Sequence, residues 1–130
     1  MSDNLVIASV WEDGELVELA IHATNEYVAV QHNYYTSKSK LSDLCNSIAD
    51  FLENTKSTFA WISGSGSSEE TAQVSLTFRH LDAKGHIEVE MCMEIDDVPS
   101  SHTYHKCSFS IQSEIGVMDE LCNSIRAIVG

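Results

Sequence analysis

Histidine and cysteine residues lie close together in one segment of this 130-residue chain, in the pattern His102-x-x-His105-x-Cys107. Imidazole nitrogen and thiolate sulfur are preferred zinc ligands, so this spacing can place two or three ligands near one ion. A structural zinc site needs four ligands, and no second cluster in the sequence completes the set. Serine and threonine surround the histidines, which favours a solvated loop. The sequence therefore predicts no metal site and no bound cofactor.

The other candidates for catalysis also have structural explanations. His80 and His86 flank a predicted hairpin turn, where surface histidines are common. A nucleophilic thiol needs an exposed, electropositive setting, whereas Cys45 and Cys122 lie on predicted buried helix faces. The chain has no Gly-x-Ser-x-Gly, His-Glu-x-x-His or phosphate-binding glycine motif. We therefore expect a protein that is not an enzyme.

The charge of the chain is strongly negative. Twenty Asp and Glu against seven Lys and Arg give a formal net charge of −13. Phosphate backbones and anionic membranes repel such a surface, so we expect neither nucleic acid nor membrane as a partner. Two explanations stay open at this point: the charge provides solubility, or it attracts a cationic partner such as the active face of a nucleic-acid enzyme.

The segment from His86 to Asp96 alternates apolar and polar residues with the period of a β-strand. One face is predicted to bear Ile87, Val89, Met91, Met93 and Ile95, and the other Glu88, Glu90, Cys92, Glu94 and Asp96. A hairpin through the turn Asp82–Gly85 sets Arg79 opposite Glu88, so only one of these acids gains a basic partner from that neighbouring strand. Like charges on one sheet face are typical either of a solvated face or of one where a cation docks.

The elements that position these residues include two helices with a shared motif. Leu-Cys-Asn-Ser-Ile occurs at residues 44–48 and again at 121–125, each time within helical apolar spacing. The buried stripes are predicted to comprise Leu41, Leu44, Cys45, Ile48 and Leu52 in the first helix, and Met118, Leu121, Cys122 and Ile125 with Ile128 or Val129 in the second. Ser37 or Ser39 is expected to cap the first helix, which ends near Glu53, and the second runs from about Gly116 to Val129.

Short alternating segments separated by turn residues predict strands before each helix. They are predicted at Leu5–Trp11, Leu16–His22, Tyr27–Tyr35, Thr58–Ile62, Thr71–Leu81, His86–Asp96 and Cys107–Gln112. The fold class is therefore α+β, with two antiparallel sheet units each followed by one helix. We interpret this as an internal duplication within a single domain spanning residues 1–130, with halves at about 1–55 and 56–130.

With these elements in place, the chain resembles the immunity proteins of bacterial contact-dependent growth inhibition and the related WapI-like immunity group. The similarity covers the order of elements along nearly the whole chain, including the helix start Lys40-Leu41-Ser42-Asp43-Leu44 and the hairpin Lys84-Gly85-His86-Ile87-Glu88-Val89. The strand Cys107-Ser108-Phe109-Ser110 before the helix at Met118-Asp119-Glu120-Leu121 also matches. The strands-plus-helix plan is also similar to the Whirly fold, whose members bind single-stranded DNA through a basic, aromatic surface. The acidic charge argues against that activity here, so we transfer only the architecture.

The resemblance implies inhibition by occlusion. The chain would bind the C-terminal domain of a cognate toxin, expected to be a basic nuclease, and an acidic face would speed association and set specificity. The candidate partner-binding residues are Asp82, Glu88, Glu90, Glu94, Asp96 and Asp97, with Glu12, Asp13 and Glu15 as a second patch.

The sequence leaves one alternative function open, an acidic adaptor or secretion-chaperone-type binding module without a toxin partner. The first residues show no positively charged segment followed by an apolar one, so we expect no signal peptide. The four cysteines are dispersed and fit reduced thiols. Together these features predict a cytoplasmic protein, and they leave its oligomeric state open.

Overall fold

The computed structural model describes residues 3–54, 57–63, 72–96 and 104–130. Within these ranges the chain forms seven strands and two helices, in the order strands, helix, strands, helix. The elements are β1 (Asn4–Glu12), β2 (Leu16–Thr24), β3 (Ala29–Ser37), α1 (Lys38–Glu53), β4 (Thr58–Ser63), β5 (Ala72–His80), β6 (His86–Asp96), β7 (Tyr104–Glu114) and α2 (Ile115–Val129). The predicted α+β class with two antiparallel sheets and two helices is confirmed.

Each sheet is an antiparallel meander in which consecutive strands are neighbours. The three-stranded sheet has the order β1-β2-β3, and the four-stranded sheet has the order β4-β5-β6-β7. In both, apolar residues at every second position point to one face, as on the central strand β2, where Val17, Leu19 and Ile21 are fully buried. We call this the inner face of each sheet and the opposite side the outer face.

The first helix begins and ends close to the predicted residues. Ser37 is the N-cap, and its hydroxyl accepts a hydrogen bond from the backbone N–H of Lys40 at 3.1 Å. Asn54 is the C-cap residue. Phe51 is buried on the inner stripe, whereas Leu52, predicted for that position, is only half-buried. At this position of the helix the Phe51 ring packs edge to face against the rings of Phe59 and Phe78.

The two helices pack against each other through the shared motif. The Cys45 thiol donates to the carbonyl oxygen of Cys122 at 3.6 Å, and the Cys122 thiol donates to that of Cys45 at 3.5 Å. Leu44 and Leu121, one residue earlier in each copy, are buried as well. The contact is therefore reciprocal, with the same motif position on each helix facing its counterpart.

One hydrophobic cluster joins both sheets and both helices. Its fully buried members are drawn from the central strands and the helix stripes, and they include Leu19, Ile21, Leu41, Leu44, Ile48, Phe78, Ile87, Met91, Ile111 and Ile125. The helices cover the inner faces, while the outer faces of the sheets hold the polar residues. This division leaves the acidic residues of interest on surfaces that a partner can reach.

We expect Leu44→Ala to lower the free energy of unfolding by about 2–5 kcal/mol, because it leaves a cavity at a fully buried position in the helix contact. Asn46→Ala, two residues further along the same motif and exposed, is the matched control and should change it by less than about 0.5 kcal/mol. Urea denaturation followed by circular dichroism measures both values. Equal destabilisation by the two variants would contradict the helix packing described above.

Candidate partner-binding surface

The predicted acidic face of β6 lies on the outer face of the four-stranded sheet. The β5–β6 register pairs Glu88 with Arg79 and Glu90 with Thr77, as the sequence predicted. On the other side of β6, Glu94 lies opposite Lys106 of β7. The backbone of Asp96 ends the strand, and Asp97 lies outside the described residues.

Basic neighbours neutralise much of this face. Arg79 contacts two carboxylates at once: its Nε lies 3.4 Å from Glu88 Oε1, and its Nη2 lies 2.9 Å from Glu90 Oε2. Lys106 Nζ lies 3.4 Å from Glu94 Oε1. Three carboxylates thus face two basic side chains. The sequence prediction missed Lys106 because it began the last strand at Cys107, whereas β7 begins at Tyr104.

Asp82 stabilises the turn between β5 and β6. Its Oδ1 accepts from the backbone N–H of Lys84 at 2.7 Å, and the ring Nδ1 of His86 donates to its Oδ2 at 2.6 Å. The His86 hydrogen bond is the main cause that holds the pKa of Asp82 below its usual range, and the same bond raises the pKa of His86. Gly85 completes the turn with φ +97°, a conformation that glycine adopts without steric cost.

The second predicted acidic patch occupies the turn between β1 and β2. Asp13 Oδ1 accepts from the backbone N–H groups of Glu15 and Leu16, both at 2.8 Å, and these bonds lower the pKa of Asp13. Glu12 lies 3.8 Å from Lys38 Nζ at the start of α1. Glu15 is exposed beside them. Both acidic turns therefore use one aspartate to order the backbone and present further charge to solvent.

The outer face of the three-stranded sheet carries exposed aromatic side chains that the sequence prediction did not include. Trp11 is 48% exposed and Tyr35 is 53% exposed, and both pair with Glu18 of the central strand. Asn33 Nδ2 donates to Glu18 Oε2 at 3.0 Å. No signal in the sequence could reveal this arrangement, because strict alternation after Ile7 assigns Trp11 to the inner face.

The histidine and cysteine residues considered as catalytic candidates have structural roles or lie outside the described residues. The His80 ring stacks on Phe51 at 4.0 Å, and its Nε2 donates to the Phe51 carbonyl oxygen at 2.8 Å. Burial raises the pKa of the Cys45 thiol to about 11, which disfavours the thiolate. His102 lies outside the described residues. Among the side chains that are described, no three His, Cys, Asp or Glu are grouped so that they could hold a metal ion.

No known family profile matches the chain, no curated protein is detectably similar to it, and no solved structure matches its fold. Neither of the helices in the described part of the chain is long and apolar enough to span a membrane.

The pair formed by Asp82 and His86 gives a pH-dependent prediction. Because the pKa of His86 is raised from 6.5, its contribution to stability is complete below pH 6.5 and is lost as the pH rises through the folded-state value. Because the pKa of Asp82 is lowered from 3.8, its contribution is present above pH 3.8 and is lost as the pH falls further. The Asp82–His86 pair therefore stabilises the turn most between pH 3.8 and pH 6.5, the ordinary pKa values of the two side chains.

We expect an NMR titration of the His86 ring to give a pKa above 6.5, and Asp82→Asn to return it toward 6.5. Glu114→Gln removes a weaker charge contribution and should retain most of the rise. An unchanged His86 pKa in Asp82→Asn would show that the pair does not form in solution.

Proposed function

We propose that this protein is an immunity protein that binds a cognate bacterial toxin domain, a basic nuclease, and neutralises it by covering its substrate-binding surface. The observation that supports this function is the net charge of −13 combined with its placement. Glu88, Glu90 and Glu94 lie together on one outer face, and Asp13 and Glu15 are exposed at the β1–β2 turn. Solubility alone requires charge at the surface but no such grouping.

The charge suits a nuclease because a nuclease binds its substrate in a positively charged groove. An acidic protein that enters such a groove competes with nucleic acid for the same cationic groups. Its field accelerates association from about 10⁵–10⁶ M⁻¹s⁻¹, the range without steering, toward about 10⁸–10⁹ M⁻¹s⁻¹ at low salt. Fast capture matters for an inhibitor that must reach the toxin in the cytoplasm before the toxin reaches its substrate.

The candidate surface includes the outer face of the four-stranded sheet and the two acidic turns. On this proposal, Arg79 and Lys106 hold Glu88, Glu90 and Glu94 in fixed positions until the toxin binds. Ordered carboxylates lose less side-chain entropy on binding than mobile ones do. Asp96 and Asp97 remain candidate partner-binding residues from the sequence alone.

We also infer that the fold arose by duplication and shares the Whirly-like plan of two sheet-plus-helix units. The reciprocal contact of Cys45 with Cys122 supports this inference. So does a repeated hydrogen bond at the start of each helix: Lys38 N donates to Glu15 O, and Ile115 N donates to Gly85 O, both at 3.1 Å. In each unit the acceptor directly precedes the strand that pairs with the last strand before the helix, β2 or β6, so the two helices begin in equivalent places.

Affinity capture with the tagged protein, followed by mass spectrometry and a growth assay, tests the proposed function. We expect one basic toxin domain to be recovered, and expression of the protein to restore growth to cells that produce that domain. The purified domain should also lose its nuclease activity at a one-to-one ratio. Charge-reversed Glu88→Lys/Glu90→Lys serves as the comparison variant and should protect less well.

Two results would contradict this function. A captured partner that the protein fails to inhibit would favour an adaptor or secretion-chaperone module. Growth that is not restored, although the toxin domain and the protein are both produced, would exclude immunity against that toxin.

A further inference from the structure

We propose that the outer face of the three-stranded sheet is the docking surface for an arginine-containing basic segment of a protein partner, with Trp11 and Glu18 at its centre. This inference rests on the proposed function and names the surface at which the partner is held. Three features support this docking surface: the backbone geometry of β1, the exposure of the aromatic rings and the charge around them.

A β-bulge in β1 turns Trp11 toward solvent. Ser9 pairs with Leu19 and Trp11 pairs with Glu18, so Val10 is an extra residue between the two pairs. Leu5 and Ile7 are buried on the inner face, and strict alternation would place Trp11 there as well. The bulge instead places its large apolar ring on the outer face. Trp11 is 48% exposed, so the fold gives up part of the burial free energy of a large apolar side chain, a cost that a binding role explains.

The residues around Trp11 form an apolar floor with aromatic sides. Trp11, Glu18 and Tyr35 lie in one row across the three strands, so the backbones that bear the two rings are about 10 Å apart. The next row contains the small side chains of Ala8 and Ala20. Glu18 lies between the two ring-bearing residues, so a cation that binds its carboxylate would lie close to both rings.

The charge around the floor favours a cationic occupant. Glu18 lies at the centre, and Asn33 donates a hydrogen bond to its Oε2. Asp13 and Glu15 are exposed at the adjacent turn. Glu12 pairs with Val17 of the inner face and contacts Lys38 at the start of α1. The outer surface beside Trp11 therefore combines carboxylates with exposed aromatic rings.

Arginine is the residue that matches both features. Its guanidinium stacks on aromatic rings and donates paired hydrogen bonds to a carboxylate. Lysine offers a more strongly hydrated point charge and gains less from the rings. We therefore assign to the Trp11 surface the contacts that hold the partner, whereas long-range attraction comes from the net charge of −13 as a whole.

An NMR titration with a capped Gly-Arg-Gly-Arg-Gly peptide tests this assignment on the isolated protein. We expect amide shift changes in β1, β2 and β3, and weaker binding of the lysine analogue. Trp11→Ala and Glu18→Gln should each raise the dissociation constant at least fivefold. Glu120→Gln, which removes the same charge from an exposed position on α2, should change it less than twofold. All three positions are at the surface, and the unperturbed amides of β5 and β6 report that each variant folds.

Shift changes centred on β5, β6 and β7, or equal weakening by Glu18→Gln and Glu120→Gln, would overturn the proposal. The surface and the function can fail separately. If Trp11→Ala and Glu18→Gln still bind and inhibit the toxin as the wild type does, the docking surface is wrong and the function stands. If the peptide binds at Trp11 but no toxin is neutralised, the surface stands and the function is wrong.

Discussion

The packing of α1 against α2 is the contact on which the rest of the structure depends. Each helix has one apolar stripe, and the two stripes meet where Cys45 and Cys122 exchange thiol-to-carbonyl hydrogen bonds. Two short meanders cannot bury their apolar faces alone, because each has an inner face with nothing to cover it. The helix pair supplies that cover for both sheets, and one hydrophobic cluster results. The helices do not cover the outer faces, which consequently remain exposed to solvent.

The two outer faces differ in how their charges are paired and in the aromatic side chains that they expose. On the four-stranded sheet, Arg79 and Lys106 pair with the glutamates, so the surface is ordered and only weakly negative. On the three-stranded sheet, the β1 bulge exposes Trp11 beside Glu18, and the neighbouring turn adds more negative charge. Exposed ion pairs contribute little to stability, so these contacts order the side chains more than they stabilise the fold.

Much of the fold follows from local patterns in the sequence. The repeated Leu-Cys-Asn-Ser-Ile motif predicted both helices, and the pairing of Arg79 with Glu88 was also correct. Of the two cap residues that the sequence offered, Ser37 and Ser39, the structure uses Ser37. These features depend on residues close together in the sequence or joined by a short turn. The predicted partner-binding roles of the acidic residues stay predictions.

The parts that the sequence could not predict depend on non-local geometry. The bulge that exposes Trp11 is set by pairing with β2 and leaves no mark on the alternation of β1. Lys106 reaches Glu94 because β7 extends beyond its apolar core into the polar residues near Tyr104. In both cases the pattern of side-chain types predicted that a strand is present, but it did not predict the register of the strand or the residue at which it begins or ends.

The association rate constant of the protein with its captured toxin domain, measured by stopped-flow at increasing salt, tests most directly whether acidic charge drives binding. Electrostatic steering predicts a rate constant above about 10⁷ M⁻¹s⁻¹ at low salt that falls at least about tenfold as salt approaches about 0.3 M, since the Debye length shortens. Glu88→Lys/Glu90→Lys should associate more slowly at low salt and approach the wild type at high salt. A rate constant that is independent of salt and unchanged in this variant would contradict the account.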